Sequence, residues 1–152
     1  MRNWGRTRVR IRKARRSDAE GIAQLSGELG YPATAAQIAT RLRQLKSASK
    51  HAVFVAESSE KTVGLVGWLH VSVSHLLESD LRAEVNGLIV AEGQRSAGAG
   101  AKLLEAAEEW ARRHGCMGMN VRSNVVRERA HGFYVRNGYE HYKTQKAFRK
   151  PL

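Results

Sequence analysis

The sequence predicts a mixed α/β domain in the order β-α-α-β-β-β-α-β-α-β, and three observations carry that reading. The apolar period switches between two and three to four along the chain, a glycine-rich turn stands between a strand and a helix, and strand-like and helix-like segments alternate in the second half. Val9 and Ile11 alternate with Arg8, Arg10 and Arg12, the pattern of a first strand with one buried and one charged face. Ser17-Asp18-Ala19-Glu20 then has capping-box spacing, and Ile22, Leu25 and Leu29 follow at helical intervals until Gly30 and Pro32 end the helix. Thr34 and Gln37 repeat the capping spacing ahead of an apolar stripe at Ile38, Leu42 and Leu45.

The middle of the chain changes period. Residues 52–56 and 62–73, rich in Val and joined by a polar stretch, predict an antiparallel hairpin, and 84–90 a further strand. Leu103, Leu104, Ala107, Trp110 and Ala111 mark a helix that runs to about His114, with Gly115 as its stop. Residues 117–123 predict another strand, 127–137 a helix closed by Gly138, and 139–150 a final pair of strands.

Composition narrows the function. The 152 residues are 42% hydrophobic and 26% charged, the range of one globular domain. A formal net charge of +12 invites a nucleic-acid reading. Eight of the 26 basic residues, however, fall in the first 16 positions, which hold no acid, and the remaining 136 residues balance to +4. The division expected is a basic arm over 1–8 and one folded domain over 9–152. Base-stacking aromatics are sparse in the arm, where only Trp4 stands.

The single Cys116 cannot form an intramolecular disulfide and fits a reducing cytosol. The first five residues lack the apolar stretch of a secretory signal, and no apolar run approaches the roughly 18 residues of a membrane span. A cytoplasmic protein without membrane association is therefore expected. The six histidines show neither a zinc helix motif nor a Cys/His pairing, so no metal is expected.

The sharpest feature lies at residues 90–101, Val-Ala-Glu-Gly-Gln-Arg-Ser-Ala-Gly-Ala-Gly-Ala, between a strand and a helix. Glycines let backbone N–H groups approach an anion, and the first turn of the helix adds unpaired donors at its positive end. The segment lacks the Gly-Lys-Ser/Thr of a Walker loop and the spacing of a Rossmann fingerprint, so glycines alone fit a tight turn or a diphosphate cradle equally.

Arg95-x-x-Gly98-x-Gly100 after Leu88-Ile89-Val90, with Asn124 downstream and then Ala130-His131-Gly132-Phe133-Tyr134 and Asn137-Gly138-Tyr139, resembles the GNAT superfamily of acyl-CoA N-acyltransferases. The resemblance covers roughly residues 8–150 and implies a mixed sheet flanked by helices, with acetyl-CoA as acetyl donor. It implies that Leu88, Ile89 and Val90 pair with the pantetheine arm like an added strand, and that the amides of Arg95, Ser96, Ala97, Gly98, Ala99, Gly100 and Ala101 hold the diphosphate. Arg95 would add a charge contact, and Asn124 would bond the cofactor arm; without the resemblance Asn124 is a turn residue.

Tyr134 is the candidate general acid, because a phenol with pKa about 10 can donate a proton to the departing sulfur. Without the resemblance, Phe133 and Tyr134 read as core aromatics. Glu84 is the candidate base, sharing by the period of two one pleat face with Asn86, Leu88 and Val90. Its alternative is a solvated strand-edge carboxylate. Glu78, Asp80 and Glu84 form an acidic group that could gather an amine, whereas Cys116 reads as a small apolar filler and Trp68 and Trp110 as core aromatics.

Three functions follow. The first is acetyl transfer to a primary amine, of a small molecule or a protein, by direct attack in a ternary complex; the others are a non-catalytic CoA-binding domain and a basic nucleic-acid-binding module. The resemblance also implies a homodimer through the 139–150 edge.

Overall fold

The structure is a computed structural model that describes residues 8–28, 30–48 and 50–152. The arm expected over 1–8 lies outside the described residues except for Arg8. In chain order the elements are β1 (Val9–Lys13), α1 (Ala19–Glu28), α2 (Ala35–Ser47), β2 (His51–Ser58), β3 (Leu65–Ser74), β4 (Arg82–Val90), α3 (Ala99–Arg113), β5 (Gly118–Val121) and α4 (Glu128–Arg136), with 3-10 turns at Arg16–Asp18 and Glu92–Ala97. Two units divide after Val121, and α4 belongs to the second, Arg122–Leu152.

In the first unit the sheet runs in the order β1-β2-β3-β4-β5. Its first four strands are antiparallel neighbours, and β5 joins β4 in parallel after the α3 crossover. Directly opposed residues share a face, so Ile11, Ala56 and Gly67 form one row and Leu69, Val71 and Val85 extend the same face. Helix α3 covers it. A Cβ at Gly67 would lie 3.1 Å from Leu103 Cδ1 and 2.8 Å from the Ile89 carbonyl oxygen, which explains a glycine inside a strand. The α3 stripe Leu103, Leu104, Ala107, Trp110 and Ala111 is fully buried as its period predicts, each leucine contributing about 1.5–3 kcal/mol.

Helix ends follow local chemistry. Thr34 Oγ1 accepts from Gln37 N (3.1 Å) while Gln37 Oε1 accepts from Thr34 N (3.0 Å), the expected capping box of α2. Gly30, Gly115 and Gly138 each adopt positive φ after a helix, and the next residue's N–H reaches back to Ser26, Ala111 and Tyr134 respectively. The box expected at Ser17–Glu20 does not form. Instead Asp18 accepts from Arg15 N (2.7 Å) and takes both terminal nitrogens of Arg12 at 2.7 and 2.9 Å, because Arg12 turns inward from the charged face of β1 and also reaches Glu57 Oε2 at 3.1 Å. The Asp18 hydrogen bond holds the Arg12 guanidinium above its ordinary pKa against burial. For Asp18, burial pushes the carboxyl up, but Arg12 and the Arg15 N–H outweigh it and hold the group below the ordinary value.

A second expectation is also corrected: residues 139–150 carry no strand. Within the second unit this polar segment has no strand to pair with, and His141 Nε2 satisfies itself locally, 3.1 Å from both Lys143 O and Thr144 Oγ1. The edge on which a homodimer was expected is thus absent.

Candidate active site

The site of the first unit begins where β4 outruns β5. The parallel ladder stops at Val85 opposite Val121, whereas pairing with β3 continues to Val90 opposite Gly67. Ala91 N donates to Val66 O (2.8 Å), so residues 89 and 91 turn their backbone groups to β3. Leu88 and Val90 therefore turn theirs away from β3, to the side on which the β5 ladder has ended.

The chain then makes the 3-10 turn Glu92–Ala97 and enters α3 through Gly98, whose φ is +76°. Gly98 gives α3 no side-chain cap, so the amides of its first turn, at Ala99, Gly100 and Ala101, are left for a ligand or water. Ala99 and Gly100 are buried, which sets the turn firmly against the core. These groups fit a diphosphate. The side chains of Arg95, Ser96 and Ala97, with the expected Arg95 charge contact, lie outside the described residues.

One irregularity was not legible in the pattern of apolar residues. His70 opposes Gly87 but Val71 opposes Val85, so Asn86 is an extra residue in β4. The bulge corrects the assignment of Glu84: it opposes Ser72, and beyond the bulge its face is continued by Gly87 and Ile89, not by Leu88 and Val90. Asn86 Nδ2 donates to Ser72 Oγ at 2.8 Å, which ties the bulge to β3. A Cβ at Gly87 would lie 2.8 and 2.9 Å from the Trp68 ring carbons Cζ3 and Cη2, so the indole covers the bulge and demands glycine there. Trp68 is only half-buried, yet its Nε1 is buried and meets no acceptor, which departs from a simple core aromatic.

The two faces of the sheet differ sharply at the bulge. On the α3 side Leu69, Val71, Ala83 and Val85 are buried. On the other side stand Asn86, exposed, and His70, Ser72 and Glu84, half-buried. His51 Nδ1 lies 3.0 Å from His70 Nε2 with the rings stacked. Burial, reinforced by His51, pushes His70 down to about 4, so it is neutral at pH 7. Of the expected acidic group, Asp80 is engaged by Arg82 Nε at 3.0 Å. Burial pushes the Cys116 thiol up against the opposing pull of Lys50, which suits a filler and not a nucleophile.

The second unit holds Asn124 and Tyr134. Asn124 Oδ1 accepts from Val126 N (3.2 Å), a turn role, and its carbonyl lies 2.9 Å from His131 Nε2. Tyr134 packs edge-on to Phe133 and Tyr139 at 5.3 and 5.9 Å between centroids. Burial pushes its phenol up, against a smaller pull from Arg127, so the hydroxyl keeps its proton through neutral pH.

The profile of the acetyltransferase (GNAT) family matches residues 20–139. The chain belongs to the GNAT family. Its mixed α/β fold is that of the family's solved structures. It is 35% identical over 89 residues to the aminoalkylphosphonate N-acetyltransferase of Salmonella typhimurium, a stretch that is 57% of this chain and 56% of the relative. The chain thus spans about half the length of that curated relative. Among solved structures, the aminoglycoside N-acetyltransferase AAC(6')-Iy in complex with CoA superposes with a TM-score of 0.83 at 17% identity, over 96% of this chain and 97% of the other. Glucosamine-6-phosphate N-acetyltransferase from Arabidopsis thaliana follows at 0.80 and 20% identity, over 93% and 98%. Those two likenesses show the fold. Sequence reasoning passed over His51, His70 and Gly87 of this GNAT chain: a pair 19 residues apart in different strands leaves no local spacing to read, whereas Asn86-Gly87 inside an apolar run was a readable bulge signal.

Proposed function

We propose that this GNAT chain transfers an acetyl group from acetyl-CoA to the primary amine of a small acceptor by direct attack in a ternary complex. The observation that supports the reading is that β4 runs past the end of the β5 ladder toward the start of α3, where Gly98 gives no side-chain cap. Leu88 and Val90 hold the extended arm, and the amides of 98–101 hold the diphosphate. When bound, acetyl-CoA supplies an acetyl carbon activated by its thioester.

The α3 side of the sheet is closed by buried side chains, so the acceptor approaches from the face of His70, Ser72 and Asn86. Glu84 on that face attracts the ammonium form of the acceptor and is a candidate base beside the imidazole of His70. Tyr134 donates its proton to the leaving sulfur, and Asn124 bonds the cofactor arm through the amide nitrogen that its turn does not use.

A net charge of +12 disfavours a polycation and favours an amine that also carries an anion, the chemistry named by the aminoalkylphosphonate relative. Lys50, whose Nζ lies 2.8 Å from His75 Nε2, is a cation at the β2–β3 end of the same sheet. We place the protein in the cytoplasm, where acetyl-CoA is made and spent; among the described residues no helix is long and apolar enough to cross a membrane.

The test is thiol release from acetyl-CoA with an aminoalkylphosphonate, an aminoglycoside and a lysine peptide. Turnover of the first above the others is expected. CoA binding without turnover of any amine would instead establish a non-catalytic CoA-binding domain, and salt-dependent DNA or RNA binding without CoA binding a nucleic-acid module.

A further inference from the structure

We infer that His70 is the catalytic residue that takes the proton from the acceptor amine, with His51 as the positioning residue that passes it to solvent; this rests on the acetyl-transfer reading above. The argument starts from the register. His70 is directly opposite Gly87, at the bulge where β4 leaves its β5 partner and on the face from which the acceptor must come. Glu84 is one pair further back, opposite Ser72 and inside the half of β4 that still runs beside β5, where it aligns with Asn120.

The second observation is the imidazole pair. With His51 Nδ1 3.0 Å from His70 Nε2, the tautomer that carries the proton on Nε2 donates it to His51 and leaves His70 Nδ1 as an acceptor. Among the described residues no hydrogen bond is formed by His70 Nδ1. The third is Trp68, next along this face of β3, whose ring carbons Cζ3 and Cη2 lie over Gly87 and so place the indole beside His70 at the same bulge. The charged and titratable groups that face His70 are His51 from β2 and Glu84 from β4, and His51 is the one whose charge acts on its pKa.

The step balances. The acceptor enters as an ammonium, and its first proton passes to His70 Nδ1 while the Nε2 proton moves to His51 and on to water. The freed nitrogen forms the N–C bond and the C–S bond breaks, its electron pair going to sulfur. The thiolate is protonated, and the second nitrogen proton is lost to solvent, so that the proton count is the same whichever donor serves the sulfur. Ammonium and thioester thus become amide, thiol and one proton in solvent, with no further reactant. A neutral imidazole that hands its proton on need not hold it, so the low basicity of His70 is compatible with the role.

The experiment measures kcat and KM by thiol release from pH 6 to 10 for wild type, His70→Gln, His51→Gln and Glu84→Gln. Two acceptors are used, a strongly basic alkylamine and a weakly basic arylamine that is neutral at pH 7. For His70→Gln we expect kcat with the alkylamine to fall about 100-fold at pH 7, with the acetyl-CoA KM unchanged. The loss shrinks toward pH 10, and the arylamine is turned over within about threefold of wild type. His51→Gln gives the same pattern at about a tenfold loss, and keeps the proposal open to refutation should His70→Gln fail to fold. Glu84→Gln raises the alkylamine KM, as expected of a group that attracts the ammonium form, and its effect serves only to separate attraction of the acceptor from the proton transfer at His70. A wild-type kcat in both histidine variants, or a loss equal at every pH and for both amines, overturns the proposal. A wild type that turns over no amine overturns the acetyl-transfer reading and this step together, whereas an active wild type with indifferent histidines overturns this step alone.

Discussion

Two halves of one strand behave differently. Residues 82–85 of β4 lie between β3 and β5, with Ala83 and Val85 buried on the α3 side, and act as sheet. Residues 86–90 keep only β3 as ladder partner, start with an extra residue, and turn Leu88 and Val90 to the vacated side. The same β-branched and aliphatic side chains occur in both. What separates scaffold from site is backbone pairing: four residues of β5 end at Val121, and a single inserted Asn86 changes which side chains share a face.

Substitutions should sort by half. The largest effect belongs to the paired half, where Val85→Asp puts a charge into a position 4% exposed and is expected to cost more than about 4 kcal/mol, read as loss of the urea transition. An unfolding midpoint within error of wild type would break the distinction. Next is Tyr134→Phe, which keeps the ring contacts to Phe133 and Tyr139 and removes the proposed proton donor. A fall in kcat of about 100-fold with unchanged melting is expected, because burial keeps the phenol protonated where the enzyme works. Gly87→Ala, in the open half, forces its Cβ against the Trp68 ring. The ring must shift, at about 1–3 kcal/mol, and kcat should fall about tenfold while CoA affinity is kept. Gly98→Ala shows the converse. Its Cβ meets nothing within 4 Å, but φ of +76° costs about 1 kcal/mol and the methyl enters the anion cradle, so calorimetry should show CoA binding weakened more than the melting temperature is lowered.

The sequence carried the scaffold because scaffold is periodic. The α3 stripe from Leu103 to Ala111, the Thr34 and Gln37 cap and the glycine stops at 30, 115 and 138 each depend on residues within a few positions of one another. The turn between β4 and α3 was legible for the same reason, as glycines between an apolar strand and an apolar helix. Long-range pairing was not. The face of Glu84 depended on a register between β3 and β4 that a strict period of two misassigns once Asn86 is inserted. Asp18 was read as part of a helix cap when it belongs to Arg12, six residues back and across a turn. Residues 139–150 are expected as a final pair of strands, but a strand exists only where another strand receives it, and this polar segment has none in its unit.

The smallest effect separates the open face of the sheet from its β1 edge by pH. His70 has a folded pKa of about 4 against an ordinary 6.5, so the fold prefers the neutral ring; the stability this preserves is complete above 6.5 and is lost as pH falls from 6.5 toward 4. Asp18 is held below its ordinary 3.8, so its contribution is complete above 3.8 and is lost only as pH falls through the lower folded value. Denaturant midpoints followed from pH 8 to 3 should therefore fall in two windows. His70→Gln should flatten the upper window and leave the lower one, and Asp18→Asn should do the reverse with a lower midpoint at pH 7. One window in both variants would mean that the imidazole pair and the Arg12 cluster respond to acid as one structure, and the open half of β4 would lose its independence from the sheet around it.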